Sequence, residues 1–208
     1  MMDKQGILVV LSGFSGAGKG TIMKALLERH DDYALSISAT TRKPRAGEVE
    51  GREYFFVSKE QFLSMVEEDA LIEHAQYVDN YYGTPKRYVE EQRAAGKDVI
   101  LEIEIQGALK IKEKFPDALL IFVMPPDAAE LERRLTGRGT ESPEAVRARL
   151  KRAAEEAVGV EAYDYILVND QLDTCVEELH QMIQVQHSRT SARIAMISKM
   201  RQELSRLG

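Results

Sequence analysis

A glycine-rich segment near the start of the chain has the residue types and spacing that bind phosphate groups. It reads Gly13-Phe14-Ser15-Gly16-Ala17-Gly18-Lys19-Gly20-Thr21. Glycines let the backbone turn tightly, so that successive N–H groups point at the oxygens of one anion. Lys19 supplies a full positive charge for the outer phosphates. The segment therefore predicts that the chain binds a nucleoside triphosphate.

The segments on both sides of this loop predict the elements that position it. Residues 7–12 form a β-rich apolar run, which indicates a strand buried on both faces. Residues 21–30 carry apolar side chains at helical spacing, and the positive end of such a helix favours an anion. A structural glycine turn with a solvent-exposed lysine is the alternative, but the order of strand, loop and helix argues against it.

The rest of the chain alternates between apolar runs and amphipathic segments. Further core strands are predicted at residues 98–104, 119–124 and 165–168. Helices are predicted to begin after the capping residues Ser58, Asp127 and Ser142, the first two with Gln61 and Glu130 as capping-box partners. This order predicts an α/β fold, a three-layer sandwich with a parallel central sheet. Two segments interrupt the alternation, residues 36–83 and residues 127–159.

The composition of the chain argues against several classes of protein. The chain has 208 residues, 44% of them hydrophobic, with a formal net charge of −6. An acidic balance argues against a general binder of nucleic acid or of anionic membranes. The single cysteine, Cys175, cannot form an intrachain disulfide and is interpreted as a small buried hydrophobe. The apolar run at residues 7–11 is too short for a signal peptide or a membrane span, so we expect a cytoplasmic protein.

The loop departs from its commonest form at one position. Gly20 follows Lys19 where a serine or threonine usually binds magnesium, and Thr21 comes one residue later. The ending Gly-Lys-Gly-Thr resembles that of nucleoside monophosphate kinases. We therefore expect Mg²⁺ to be held mainly by the phosphates and water, with Thr21 as the candidate protein ligand.

The segment at residues 36–83 suits a second, phosphate-bearing substrate. Arg42 and Arg45 have forked donors that match phosphate oxygens, and Tyr54 and Tyr82 offer hydroxyls. On composition alone, two arginines in a polar loop are more simply surface charge. However, residues 36–57, SISATTRKPRAGEVEGREYFFV, closely resemble the GMP-binding segment of guanylate kinases. Three further stretches resemble the same family, and the match runs from about residue 6 to residue 185. These are Glu73-His74-Ala75, Asn80-Tyr81-Tyr82-Gly83-Thr84 and residues 134–140, RLTGRGT.

The resemblance implies roles for both halves of GMP. Arg42, Arg45, Tyr54 and Tyr82 would hold its phosphate, and the base would be read by Ser38, Glu73 and Thr84. The chemistry agrees, because a carboxylate such as that of Glu73 can accept from both N1–H and the 2-amino group of guanine. Adenine has an acceptor at N1 and no 2-amino group, so the carboxylate would lose its partners. A hydroxyl of Ser38 or Thr84 could donate to O6.

The remaining expected site residues lie near other strand ends and in residues 127–159, the predicted helical lid. Glu102 and Glu104 are expected on one face of a strand, where they would contact GMP or order magnesium-bound water. By resemblance, Arg138 and Arg149 would reach the ATP phosphates. Asn169 either contacts adenine or simply ends a strand. Phosphoryl transfer depends mostly on positioning and cations. The expected catalytic residues are therefore Lys19, Arg42, Arg138 and Arg149.

The predicted organisation is one guanylate kinase-like domain at residues 6–185. Its core comprises residues 1–35, 84–126 and 160–208; a small mixed α+β insert, residues 36–83, binds GMP; and the lid closes over ATP. The implied function is transfer of the γ-phosphoryl group of ATP to GMP, and by extension dGMP, for GMP recycling and GTP supply. The alternatives are a catalytically silent scaffold that binds proteins and a kinase for another monophosphate.

A single long C-terminal helix is also predicted, which packs on the sheet and then projects. Its projecting part carries a second apolar stripe at helical spacing that could pair with another subunit: Ile194, Ile197, Met200, Leu204 and Leu207. The choice between monomer and homo-oligomer stays open.

Overall fold

The computed structural model describes residues 5–45, 47–77, 79–137 and 142–207. The strands are β1 (Leu8–Gly13), β2 (Tyr33–Leu35), β3 (Ala39–Thr40), β4 (Phe55–Phe56), β5 (Leu71–Tyr77), β6 (Asn80–Pro85), β7 (Asp98–Glu102), β8 (Leu119–Met124) and β9 (Tyr165–Val168). The α-helices are α1 (Lys19–Arg29), α2 (Lys59–Glu67), α3 (Lys86–Ala94), α4 (Ile105–Lys114), α5 (Ala128–Thr136), α6 (Pro143–Ala157), α7 (Leu172–Gln186) and α8 (Ile194–Leu204).

Five strands form a parallel central sheet in the order β2-β7-β1-β8-β9. The side chains of β1 and β8 are almost entirely buried because helices cover both faces. Residues of α1, α5 and α7 pack on one face, and residues of α3 and α4 pack on the other. Each buried leucine or isoleucine in these layers stabilises the fold by about 1.5–3 kcal/mol. The predicted α/β three-layer class is confirmed.

A second, four-stranded sheet in the order β4-β3-β6-β5 forms the insert. It mixes parallel and antiparallel pairs and has a small core around Ala39, Phe62 and Leu71. The predicted capping box of α2 is present, with Ser58 and Gln61 each accepting from the other's backbone N–H. Strands β5 and β6 were not predicted as strands. Because β6 ends at Pro85, it extends two residues past the predicted end of the insert.

The helical lid begins with the expected caps, with one difference. Asp127 accepts from the Glu130 N–H at 2.7 Å, and Ser142 caps α6. The Glu130 carboxylate does not complete the capping box, because Arg133 and Arg134 both donate to it at 2.6 Å. These two guanidinium groups hold the pKa of Glu130 down at about 2.

The C-terminal segment is two helices rather than one. Helix α7 ends at Gln186, a short turn follows, and α8 begins at Ile194. Cys175 is buried on α7 as expected, and burial raises the pKa of its thiol to about 11. In the part of the chain that the structure describes, no helix has the length and apolar character needed to cross a membrane.

Candidate active site

The phosphate loop lies where β1 ends and α1 begins. Gly18 precedes the helix with a positive φ of 91°, and Lys19 is its first residue. The Lys19 amine folds back and donates to the carbonyl of Gly13 at 2.9 Å. Burial lowers the pKa of this amine, while the carboxylates of Glu102, Glu156 and Glu104 act in the opposite direction. Lys19 therefore lies between the loop and a group of acidic side chains.

The other loop residues contribute through backbone and packing. Phe14 and Ala17 are buried, and the Phe14 ring meets Phe122 edge-on at 4.9 Å between centroids. Their side chains therefore anchor the loop to the core, and the Ala17 N–H closes a turn on the Phe14 carbonyl at 3.0 Å. Thr21, the candidate magnesium ligand, is exposed at the first turn of α1.

A buried hydrogen-bond network supports the loop from below. The Asn169 amide, 7% exposed, donates to the carbonyl of Ala17 at 2.8 Å. Arg134 of α5 donates to the Asn169 carbonyl at 2.8 Å and to Glu130 at 2.6 Å. Asn169 thus supports the loop, and its contact with adenine stays a prediction. The contact of Arg134 beneath the loop joins chain positions far apart, so no local pattern in the sequence shows it.

Three residues predicted to read the base lie on neighbouring strands. Gly83 is paired with His74 on one side and with Ala39 on the other. Because these pairs are antiparallel, Thr84 lies beside Glu73 and beside Ser38. The Thr84 hydroxyl donates to Oε1 of Glu73 at 2.8 Å, and burial raises the pKa of that carboxyl. The proton of Thr84 is thus directed at Glu73, which leaves Ser38 as the candidate donor to O6.

The second Glu73 oxygen connects the insert to the core. A Cβ atom placed on Gly107, in the first turn of α4, would lie 3.8 Å from Glu73 Oε2. Helix α4 follows β7, which is paired with β1. This chain of contacts places the carboxylate that is predicted to read the base at the same edge of the sheet as the phosphate loop.

The residues predicted to hold the GMP phosphate also come together. The Arg42 guanidinium lies 5.2 Å from the centre of the Tyr54 ring, and that ring lies 6.1 Å from the Tyr82 ring. The side chain of Arg45 is exposed at the edge of this group.

One residue of this group was not singled out from the sequence. The Glu48 carboxylate accepts from both terminal nitrogens of Arg42, at 2.9 and 3.0 Å, and from the Arg45 N–H at 2.8 Å. These contacts hold the pKa of Glu48 below its usual range. The carboxylate occupies the forked position that suits two phosphate oxygens. No local pattern marks Glu48, because its partner is fixed by the course of the loop.

The expected arrangement of Glu102 and Glu104 is wrong in part. Strand β7 ends at Glu102, so strand alternation does not extend to Glu104, which instead precedes α4. Glu102 is paired in register with Leu11 of β1, close to the phosphate loop. Glu104 accepts from Arg152 of the lid at 2.6 Å, and Arg152 also donates to Glu156 at 3.0 Å. Glu104 caps α4 with an extended backbone, and the carboxylates of Glu102 and Glu104 both act on Lys19.

The lid arginines are described in part. Arg149 is half-buried on α6, and its role at the ATP phosphates stays a prediction. Arg138, together with Gly139 and Thr140 of the same motif, lies outside the described residues.

Comparison with known proteins identifies the family. The guanylate kinase family model matches residues 5–186. A guanylate kinase of Caldanaerobacter subterraneus subsp. tengcongensis is 52% identical over 97% of this chain and 98% of its own length. One from Halalkalibacterium halodurans is 49% identical over 90% and 92%. The crystal structure of guanylate kinase from Anaplasma phagocytophilum superposes with a TM-score of 0.70 at 34% identity, covering 91% of this chain and 90% of that one. The chain belongs to the guanylate kinase family.

Proposed function

We propose that this protein transfers the γ-phosphoryl group of ATP to GMP, and also to dGMP, giving ADP and the guanosine diphosphate. The observation that carries the proposal is the Glu73 carboxylate, bonded to Thr84 at 2.8 Å in the insert that also contains Arg42, Tyr54 and Tyr82. A guanine reader and a phosphate holder thus share one insert beside the phosphate loop. The reaction supplies GTP synthesis and recycles GMP.

Glu73 favours guanine through the donors that it meets. With Oε1 bonded to Thr84, both carboxylate oxygens keep lone pairs for N1–H and the 2-amino group of guanine. Adenine would leave this half-buried carboxylate without donors, at a cost of about 1–3 kcal/mol or more. The Ser38 hydroxyl completes the selection by donating to O6.

The GMP phosphate takes the place of the Glu48 carboxylate at Arg42. Arg42 and Arg45 neutralise it, and the hydroxyls of Tyr54 and Tyr82 fix its orientation. One of its oxygens attacks the γ-phosphorus of ATP. A phosphorus–oxygen bond forms there as the bond to the β-phosphate oxygen breaks and ADP leaves. Because the attacking phosphate is already an anion, no general base is required.

Cations stabilise the charge that develops during transfer. Lys19 holds the outer phosphates of ATP, and Arg138 and Arg149 of the lid complete the set. Exposed oxygen donors suit Mg²⁺ at this edge: the Thr21 hydroxyl and the Glu102 carboxylate, reached directly or through water. An Mg²⁺ ion held by these groups would neutralise part of the phosphate charge. A cytoplasmic location stays a prediction from the sequence.

A coupled assay of ADP release tests the proposal. Purified protein is given Mg·ATP with GMP, dGMP, AMP, CMP or UMP in turn. We expect turnover with GMP and dGMP and almost none with the others. Equal turnover with AMP would contradict guanine recognition by Glu73. GMP binding without turnover on any acceptor would favour the non-catalytic scaffold instead.

A further inference from the structure

An open cavity of about 790 Å³ lies at the edge of the central sheet opposite the phosphate loop. Its floor is the start of β1, at Ile7 and Leu8, and its wall is the first turn of α8, at Ala195 and Met196. The proposed ATP and GMP sites use the carboxyl ends of the strands, whereas this cavity uses the amino ends. Its volume is within the range of small-molecule pockets, about 300–1,000 Å³.

Three arginines give this cavity its electrostatic character. They are Arg93, Arg189 and Arg193, and among the described residues a single carboxylate, that of Asp117, lines the cavity with them. Lys114 contributes its stem, because its amine is directed at the carbonyl of Ile72. The cavity is therefore locally cationic although the whole chain carries −6. A cationic cleft in an acidic protein attracts and retains anions.

Arg93 is the most informative of the three. It is half-buried, its Nε donates to the Gly6 carbonyl at 2.9 Å, and burial lowers its pKa. Within the described ranges, no carboxylate lies within ion-pair distance of its guanidinium. The carboxylates of Glu90, Asp117 and Asp98 act on this guanidinium only from beyond that distance. A partly desolvated guanidinium without a contacting anion is stabilised when an anion binds beside it.

Asp98, the buried carboxylate near Arg93, does not supply this anion. Asp98 accepts from the Ile7 N–H at 2.8 Å and lies 2.9 Å from Nε2 of His187. Both of its oxygens are thus engaged within the protein. Arg193 is held in place by the His187 carbonyl and the Ser188 hydroxyl, so its position does not depend on a ligand.

We propose that this cavity is a second anion-binding site, which takes a phosphorylated small molecule of nucleotide size. The three guanidinium groups hold its phosphate, and the apolar wall formed by Phe115, Pro116 and Met196 packs against its organic part. The site is separate from the one that binds the substrates, so it does not rest on the proposed function.

Titration calorimetry combined with hydrogen exchange tests this site. The probes are GTP, GDP and inorganic pyrophosphate, each titrated to about 1 mM so that a site of millimolar Kd becomes half-filled. Guanosine is the uncharged comparison. We expect binding of at least one anionic probe to protect the backbone of residues 186–196. Protection should be absent with guanosine, because the site requires the phosphate charge.

Two variants on one stretch of chain make the test specific. Arg189→Glu reverses a charge that lines the cavity, and Arg201→Glu makes the same change on α8 outside it. Because the probes also bind at the proposed substrate site, the deciding measurement is the protection of residues 186–196. We expect Arg189→Glu to need at least about tenfold more probe for this protection, Arg201→Glu to behave as wild type, and both to keep wild-type turnover of GMP. Protection confined to the phosphate loop and the insert, or equal protection of residues 186–196 in Arg189→Glu and wild type, would overturn the proposal.

Discussion

The donor loop and the acceptor insert bind phosphate in opposite ways. The loop presents backbone N–H groups at the junction of β1 and α1, and its Phe14 and Ala17 side chains are buried in the main core. The insert presents side chains on a half-exposed sheet with a core of few residues. The loop geometry is therefore set before any ligand arrives, while Arg42 of the insert is still bonded to Glu48.

Because of this difference, the loop is suited to holding the phosphates of ATP, and the insert is suited to recognising the guanine base. Backbone N–H groups bind any phosphate, so the loop can hold ATP firmly without reading its base. Side chains from three neighbouring strands can distinguish guanine from adenine, but each must be placed by tertiary pairing. Substitutions at the loop should therefore affect mainly the chemical step, and substitutions at the insert should affect the use of GMP.

Removing the Lys19 charge should give the largest effect. We expect Lys19→Ala to lower kcat by about 100- to 1,000-fold, because an oriented cation at the transferring phosphoryl group is lost. GMP affinity, measured by calorimetry, should remain within about twofold. Lys24→Ala, on the exposed face of the same helix, is the matched control and should behave as wild type. Comparable turnover of Lys19→Ala and Lys24→Ala would contradict the role given to Lys19.

Neutralising Glu73 should affect the acceptor side instead. We expect Glu73→Gln to lower kcat/KM for GMP by about 100-fold, because the amide offers a donor where guanine also presents donors. Turnover at saturating GMP should fall much less. Steady-state kinetics with GMP and AMP measure both quantities, and a variant with unchanged kcat/KM for GMP would show that another residue reads the base.

The same substitution should not lower the stability of the free protein. Burial raises the pKa of Glu73, so the folded chain binds that proton more tightly than the unfolded chain does. Its contribution to stability is therefore present at low pH and lost as pH rises through the raised pKa. At neutral pH the ionised carboxylate opposes folding, and glutamine removes that charge. We expect the Tm of Glu73→Gln to equal or exceed that of wild type at pH 7.5, and a clear decrease would contradict this account.

The sequence predicted these two regions unequally, for the same physical reason. The loop is one contiguous motif between a strand and a helix, so local pattern predicted it almost residue by residue. The partnership of Glu73 with Thr84 joins two strands that the pattern did not reveal, and resemblance alone suggested it. Glu48 and the support of the loop by Asn169 and Arg134 depend on tertiary contacts, which residue types do not encode locally.

Lowering the pH should raise KM for GMP in the wild-type protein, because Glu73 becomes protonated. Only the ionised carboxylate accepts from both guanine donors, and its raised pKa places the loss of GMP binding at a higher pH than for an ordinary glutamate. Below that pKa we expect KM for GMP to rise by up to about tenfold per pH unit, with KM for ATP changing less. Glu73→Gln is the control for titration of the GMP phosphate itself. If its profile falls in parallel with wild type, Glu73 is not the titrating group.

Two glycines of the phosphate loop should respond to alanine in opposite directions. Gly18 has a φ of 91°, and a Cβ there would lie 2.5 Å from the Asn169 amide nitrogen, whereas a Cβ on Gly20 meets nothing within 4 Å. We expect Gly18→Ala to destabilise the protein by about 2 kcal/mol, since it combines left-handed strain with loss of the Asn169 bond to Ala17. Gly20→Ala should stabilise it by about 0.5 kcal/mol, because alanine suits the first turn of α1 better. Thermal unfolding should show shifts of opposite sign, about 2–4 °C for each kcal/mol in a chain of this size. If both variants lose stability equally, the loop is uniformly strained, and its rigidity does not come from Asn169 below it.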